Sequence, residues 1–490
     1  MVKESSYIRT IKSLINRIHD LSPVSDSVYE QATGYFEQAA IDQEKRSSLM
    51  LEIKASEKKL TESGSQSDKK LLSERIKVSQ SQLKVFNKKL DEERLVRHRH
   101  LKQICVEIVD LIEGDDFADN NDKTARMLGT MLMITPESGR KVPQLNMFSK
   151  HMYKAALSVR LLDRLVFTQN IIDPHVTRFA VKDSEQSAIE PEDLTSQESF
   201  RQNVKIPLIM AALIQDIGRM HPDAQKLLKG EDGQADEFRV LERDDRNKLL
   251  KITFQQALSY FKNGIGTDKY TGNSLTEREE FNKLEKAKLE FGLKLLKSSL
   301  KPQNGIGNIL KIPQVYASVV MSTKTNQPIA VMPKVGQMLR KGAEQGMFSP
   351  TVTEALLQVT GIFPQGYGIA FIPKDSDKRD IDKYEYAIVT RLYPANPDEP
   401  ISRCVTRNLS YNSNCPDYVI SKSNNLYFEP ARKAFEKVSP ERLLEILSKL
   451  VSNFEERKNQ DLVPRCWHPY EYFSDAKHQN LWNKMSQFRN

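Results

Sequence analysis

An unbroken apolar run, I-P-L-I-M-A-A-L-I over residues 206–214, closes on the polar pair Gln215-Asp216 and continues as I-G-R-M-H-P-D to Asp223. A segment apolar on every side has no solvent face to present, so other elements must enclose it. It is too short to cross a bilayer. The sequence predicts a buried helix that organises the fold, with Gln215 and Asp216 in its last turn. Pro222 beside His221 marks the start of a further helix.

The 490 residues are enough for two to four domains and a large core. Hydrophobic residues make up 39% and charged residues 28%, with a mean hydropathy of -0.54, as expected for a soluble, helix-rich protein with long solvated faces. No apolar stretch is long enough to span a membrane, and charges interrupt residues 1–21 throughout, so a cytoplasmic location is expected. The net charge of +8 comes from 73 basic against 65 acidic residues, a balance without a nucleic-acid footprint. Cys105, Cys404, Cys415 and Cys466 contain no C-x-x-C. A zinc site drawn from Cys404, Cys415, Cys466 and His468 has no recognisable ligand spacing, so the cysteines read as structural.

Along the chain, Ile8, Ile11, Leu14, Ile15, Ile18 and Leu21 form one apolar helical stripe. Residues 40–60 and 68–112 are rich in Glu, Lys, Gln, Ser and Leu. Ile76, Ser79, Leu83, Phe86 and Leu90 recur at spacings of three and four, resumed by Leu101, Ile104, Ile108 and Leu111. Ser63-Gly64-Ser65-Gln66-Ser67 breaks the pattern, with an N-cap expected at Ser67 or Asp68. The expectation is a coiled-coil hairpin, closed on itself or against a second subunit. A loop is expected at 113–122, a helix at 147–167 with one apolar face (Met152, Ala155, Ala156, Val159, Leu162, Val166), and an exposed loop at 183–199. Helices follow at 247–261 and 284–300, with a loop at 264–274 between them. Short β-branched runs after Gly361 read as strands, with a turn at 396–400. A last helix is expected at 429–456, with Pro440 at N1 after Ser439 and Leu443, Leu444, Leu447 and Val451 on one face. The expected divisions are 1–122, 123–360, 361–428 and 429–490.

Several fragments resemble, in order and local wording, the HD-GYP branch of the HD-domain phosphohydrolases over roughly half the chain. S-K-H-M-Y-K-A-A-L-S-V is similar to the helix bearing that family's first histidine, His151 here. A-A-L-I-Q-D-I-G-R is similar to its A-x-L-x-H-D-I-G-K, and Asn304-Gly305-Ile306-Gly307 to the D-G-x-G opening of the GYP signature. V-Y-A-S-V-V-M-S-T-K-T-N-Q-P, G-M-F-S-P-T-V-T-E-A-L-L and G-I-F-P-Q-G-Y follow as the family's later segments do. The resemblance implies a mainly α fold: a helical HD-GYP-like core closed by a small β subdomain and preceded by the hairpin.

It also implies a cyclic di-GMP phosphodiesterase built on a multinuclear metal centre, and the residues argue against that activity. Such a site needs neutral imidazoles and a bridging carboxylate that turn bound water into hydroxide. Of those ligands His151 and Asp216 remain. Gln215 stands for the histidine of the H-D pair, Thr253 falls near the next one, 297–303 contains no histidine, and Gln314 replaces the last aspartate. Asn308 and Ile309 replace the tyrosine and proline of GYP. The expected catalytic set is therefore none, with His151, Gln215, Asp216 and Gln314 as relic positions and no cofactor.

Arg219, Lys324, Lys334, Arg340 and Lys341 are the residues that would still grip a nucleotide such as cyclic di-GMP. The leading expectation is a non-catalytic regulatory or scaffold protein in cyclic di-GMP-linked bacterial signalling. It would bind protein partners, or a second copy of itself, through the hairpin. One alternative is an active phosphodiesterase rearranged around His151, Asp216 and His221 with Asp223 or Glu242. The other is polyanion binding by Lys84, Lys88, Lys89, Arg94, Arg97 and Arg99, which the accompanying acidic residues disfavour.

Overall fold

The computed structural model describes residues 5–435 apart from 23, 25, 136–140, 172, 181–190, 301–304, 325–328, 375–383, 408–409 and 412–414, with isolated positions between 441 and 455. The protein is mainly α-helical with a small antiparallel sheet. Among the described residues, no helix is long and apolar enough to cross a membrane. Two compact units comprise residues 1–16, 105–212 and 294–490, and residues 17–104 and 213–293. Divisions at 122, 360 and 428 do not mark these units. Their limits instead fall inside helices, where no change of composition announces them.

The first unit is built on α5 (Val142–Phe167), against which α4 (Phe117–Met133), α12 (Asn308–Val320) and α14 (Pro350–Thr360) pack. The single apolar face expected for 147–167 gives way to burial all round: every residue from 151 to 162 is buried. A helix enclosed on all sides must pair its charges. Arg160, 1% exposed, pairs with Glu113 at 3.4 Å and Asp163 at 3.1 Å, and Lys205 joins both carboxylates. The expected 113–122 loop is shorter than its composition implies, because the Asp116 carboxylate accepts the Asp119 N–H at 2.8 Å and starts α4 at Phe117.

The strands run β1 (Gly368–Phe371), β2 (Glu385–Val389), β3 (Ile401–Cys404), β4 (Thr406–Arg407), β5 (Ser410–Tyr411) and β6 (Asp417–Val419). They form an antiparallel sheet of order β1-β2-β3-β6 and a separate β4-β5 pair. The register sets Ile388 opposite Arg403 and Arg403 opposite Asp417. Asp417 accepts from Arg403 at 2.9 Å and from Arg391 at 2.7 Å. A turn at 396–399 joins β2 to β3 as expected. Part of the loop expected at 183–199 is instead the helix α7 (Pro191–Phe200), which Pro191 can open at N1; 183–190 lie outside the described residues. Helix α15 (Glu429–Phe435) begins the expected 429–456 segment. Leu444 in it is exposed, and Ser439, Pro440, Leu443, Leu447, Val451, Trp467 and Trp482 lie outside the description.

In the second unit, α2 (Val28–Glu62) and α3 (Gln66–Ile112) form the hairpin. Ser27 and Glu30 make a capping box that fixes the start of α2. Helix α3 begins earlier than Ser67 or Asp68, because the Ser65 hydroxyl already accepts the Asp68 N–H at 3.4 Å. Partners descend along α3 as they climb α2: Gln31 with His100, Tyr35 with Arg97, Lys45 with Phe86, Glu52 with Arg75. That order is an antiparallel pair within one chain. Helix α10 (Arg243–Ser259) starts before residue 247, since Asp244 and Asp245 suit a first helical turn. A π turn, Tyr260–Ile265, extends it.

Candidate functional site

Helix α8 (Ile206–Ile214) stops just before Gln215, so the polar pair lies beyond the helix and not in its last turn. The Asp216 carbonyl accepts the Arg219 N–H at 3.1 Å and opens a 3-10 turn, Ile217–Met220. Gly218 allows that turn to lie on α10: a Cβ there would stand 2.2 Å from the Thr253 carbonyl oxygen. The turn that follows Gln215 is thereby held against Thr253 of α10 within the second unit. His221 is the N-cap of α9 (Pro222–Lys229), as Pro222 implies, and its Nδ1 accepts the Asp223 N–H at 3.2 Å.

Over this turn lie rings from α2 and the segment before it. The Tyr29 hydroxyl donates to the Leu213 carbonyl at 2.9 Å, satisfying one of the carbonyls a helix end leaves open. His19 stacks on Tyr29 at 4.2 Å, and Phe36 meets the His221 ring edge-on at 5.4 Å. Burial drives the Tyr29 hydroxyl well above the ordinary phenol range; the Asp216 carboxylate adds to that and Arg219 opposes it. The donor set of this turn is therefore a buried amide, a carboxylate and a hydroxyl, with the His221 Nδ1 engaged in a cap. Transition-metal sites of the HD type need several converging imidazoles, and this set does not fit one.

The other positions that the resemblance singled out belong to the first unit. His151 is 1% exposed inside α5. Gln314 accepts from Lys311 Nζ at 3.1 Å. Asn308 is an internal clamp: it donates to the Gly305 carbonyl at 2.9 Å and accepts the Ser349 N–H at 3.0 Å. Of the residues expected to grip a nucleotide, Arg340 makes two bonds to Glu354, at 2.8 and 3.0 Å, which raise its pKa. Lys324, Lys334 and Lys341 are exposed, and Arg219 is half-buried in the second unit.

The basic residues of the hairpin are largely used inside the chain. Arg94 donates to the Ile265 and Thr267 carbonyls at 2.8 and 2.5 Å, and Arg97 to that of Gly264 at 3.0 Å. Arg99 and Lys102 both reach Asp268 at 3.3 Å. Burial would raise the Asp268 carboxyl, but the Lys269 amide and the Lys102 charge outweigh it and hold the group below its usual range. Lys88 and Lys89 face Glu92 and Glu93 at 3.7 Å. Sequence reading missed Tyr29, His19 and Phe36 altogether. The readable signal was Ser27-Val28-Tyr29-Glu30, a capping box that starts a helix at residue 28.

Two further features lie away from these positions. Among the described residues, Asp20, Asp26 and Glu30 bring three carboxylate oxygens within 4.8 Å of one another. Glu30 already accepts the Ser22 and Ser27 amides, and burial together with Glu30 pushes the Asp20 carboxyl up to about 6. A cleft of about 390 Å³ is lined by Ser6, Arg9, Thr10, Ser13, Leu14 and Glu107. Compared with protein-family models, curated proteins and solved structures, the chain matches none.

Proposed function

We propose that this chain is a non-catalytic HD-GYP-like regulatory or scaffold protein that works by protein contact through the distal half of the α2–α3 hairpin. The observation that carries this reading is a stripe on α3: Leu71, Val78 and Val85 are 68%, 56% and 66% exposed. Successive members lie seven positions apart, so they share one helix face, the spacing by which a helix seats against another helix. Leu51 and Met50 on α2 are exposed as well. Grouped apolar side chains on a polar helix are a contact surface rather than a solvated one. The amide at Gln215 and the rings of Tyr29 and Phe36 over the neighbouring turn support the non-catalytic part of the reading. The setting in cyclic di-GMP-linked signalling rests on the sequence resemblance.

The test uses the full chain with Leu71, Val78 and Val85 all changed to Lys. Capture from a bacterial lysate is expected to lose proteins that the parent retains, while the circular dichroism of the two proteins agrees. Light scattering on the same pair tells self-association from a different partner. Stoichiometric iron or manganese in the purified protein, together with hydrolysis of cyclic di-GMP, would overturn the reading.

A further inference from the structure

The distal half of α3 carries charges in an order that its own reverse complements. Counted from Lys70, Glu74, Ser81, Lys88 and Glu92 follow at offsets of 4, 11, 18 and 22 residues, each close to a whole number of helical turns. The five therefore form one row along the helix, and all are exposed. The apolar stripe of Leu71, Val78 and Val85, exposed as well, runs along the edge of that row.

We propose, resting on the contact reading above, that the partner this face takes is a second copy of the chain, laid antiparallel on α3 with Ser81 at the two-fold axis. Turned end for end about Ser81, the row meets itself with opposite signs. Lys70, eleven residues before the axis, stands level with the partner's Glu92, eleven after it, and Glu74 stands level with the partner's Lys88, seven on either side. In an antiparallel pair the same flank of each helix comes together, so these are charges that meet. Lys88 and Glu92 already lie 3.7 Å apart within one helix, and the partner's Glu74 and Lys70 complete a group of four with alternating sign.

Val78 and Val85, three residues before the axis and four after, stack across the seam beside those charges. On the opposite flank Arg75 and Lys89 approach one another, but each holds a carboxylate of its own chain, Glu52 at 2.7 Å and Glu93 at 3.7 Å. A parallel copy in register would instead set every charge level with its like. The patch is well below the roughly 1,200 Å² at which stable interfaces begin, so the dimer is weak and sensitive to salt and concentration.

Sedimentation velocity of the full-length chain over a wide range of concentration is expected to show a monomer–dimer equilibrium. The variant with Leu71, Val78 and Val85 all changed to Lys should lack it. Glu74→Lys alone and Lys88→Glu alone each turn two attractions into two repulsions, and each is expected to weaken the dimer about tenfold. Mixed in equal amounts the two variants should associate as the parent does, because each chain then offers the other the opposite charge at both contacts. A change confined to one chain, such as loss of the Lys88–Glu92 pair, produces no such rescue. Circular dichroism checks that the helices of every variant are formed.

A mixture that associates no better than its components would overturn the antiparallel pairing, and a dimer that persists in the triple variant would place the contact elsewhere. A parent chain that stays monomeric at every concentration would overturn the proposal outright. Lysate capture by the parent and the triple variant then tells whether the contact reading falls with it or stands with a different protein as partner.

Discussion

The two ends of the α2–α3 hairpin are made of nearly the same residues and behave differently. At the root, Arg94, Arg97, Arg99 and Lys102 bind carbonyls and a carboxylate of the 264–268 loop, while Tyr29 and Phe36 lie on the 213–221 turn. At the tip, Glu52 and Arg75 pair across the helices, lysines pair along one helix, and apolar side chains face water. Charge holds the root together because its partners are half-buried backbone oxygens, where a charge-assisted bond is strong. At the tip the same charges are solvated and contribute little. The root is thus the structural end, and the tip is the end with surface to spare.

The sharpest way to break this comparison lies beneath the root. Gly218→Val places two methyl groups where even one Cβ would stand 2.2 Å from the Thr253 carbonyl oxygen. Separating the turn from α10 is expected to cost about 3 kcal/mol, in the upper range for overpacking. Denaturant unfolding of parent and variant measures it; a loss below about 1 kcal/mol would show that the turn and α10 part easily. Next in size, Arg94→Met is expected to cost about 2–3 kcal/mol, since it strips charge-assisted donors from two carbonyls. The matched tip variant, Arg75→Met, removes a side chain that is 62% exposed and should cost under about 1 kcal/mol. Equal losses for the two would erase the distinction between root and tip.

Sequence alone could not separate these arginines. The local wording around Arg94 and Arg75 is alike, and what differs is a loop contributed far along the chain, for which neither position carries a local signal. The hairpin itself was legible because Ser63-Gly64-Ser65 interrupts a helical composition and the heptad spacing resumes after it. The apolar run at 206–214 was legible as a helix, but not the rings over its end: Tyr29 is 184 residues from the Leu213 carbonyl it meets. At α5 the periodicity predicted one apolar face, and the charged Lys154 and Arg160 fall outside it. Both are buried, and Arg160 is paired with Glu113 and Asp163. Among the candidate positions, Gln215 drew notice only because the resemblance sets a histidine at its place. The clamp made by Asn308 was not legible, since it depends on where Ser349 arrives.

A smaller effect tests the root through pH. His98 is buried and shares a hydrogen bond with the Gly266 carbonyl at 3.2 Å. Burial lowers its pKa; Asp268 and Glu285 pull it back up, and Lys102 and Arg94 push it down again. A folded-state pKa below the unfolded value of about 6.5 means that the unfolded chain takes up the proton first. Stability is therefore full above that pH and declines as pH falls through it. His98→Gln, which keeps a donor for the carbonyl, should flatten part of that slope in melting experiments from pH 8 to 5. His175 in the first unit, lowered chiefly by burial, supplies a remainder. An unchanged slope would show that His98 is as solvated as a tip residue.

The smallest expected effect bears most directly on what the tip does. Changing Leu71, Val78 and Val85 one at a time to Gln should alter unfolding stability by no more than about 0.5 kcal/mol each, because each side chain is already more than half exposed. If they were packing residues in disguise, each loss would approach the 1 kcal/mol scale, and the stripe would join the root as structure. If the changes leave the fold untouched, the stripe contributes nothing to holding the hairpin together. Exposed apolar groups on one face of a charged helix also favour self-association, so a fold that does not need them gains nothing by keeping them together. Binding and stability should then separate across the three variants, with capture falling while unfolding stays level, and that separation is what marks a contact surface.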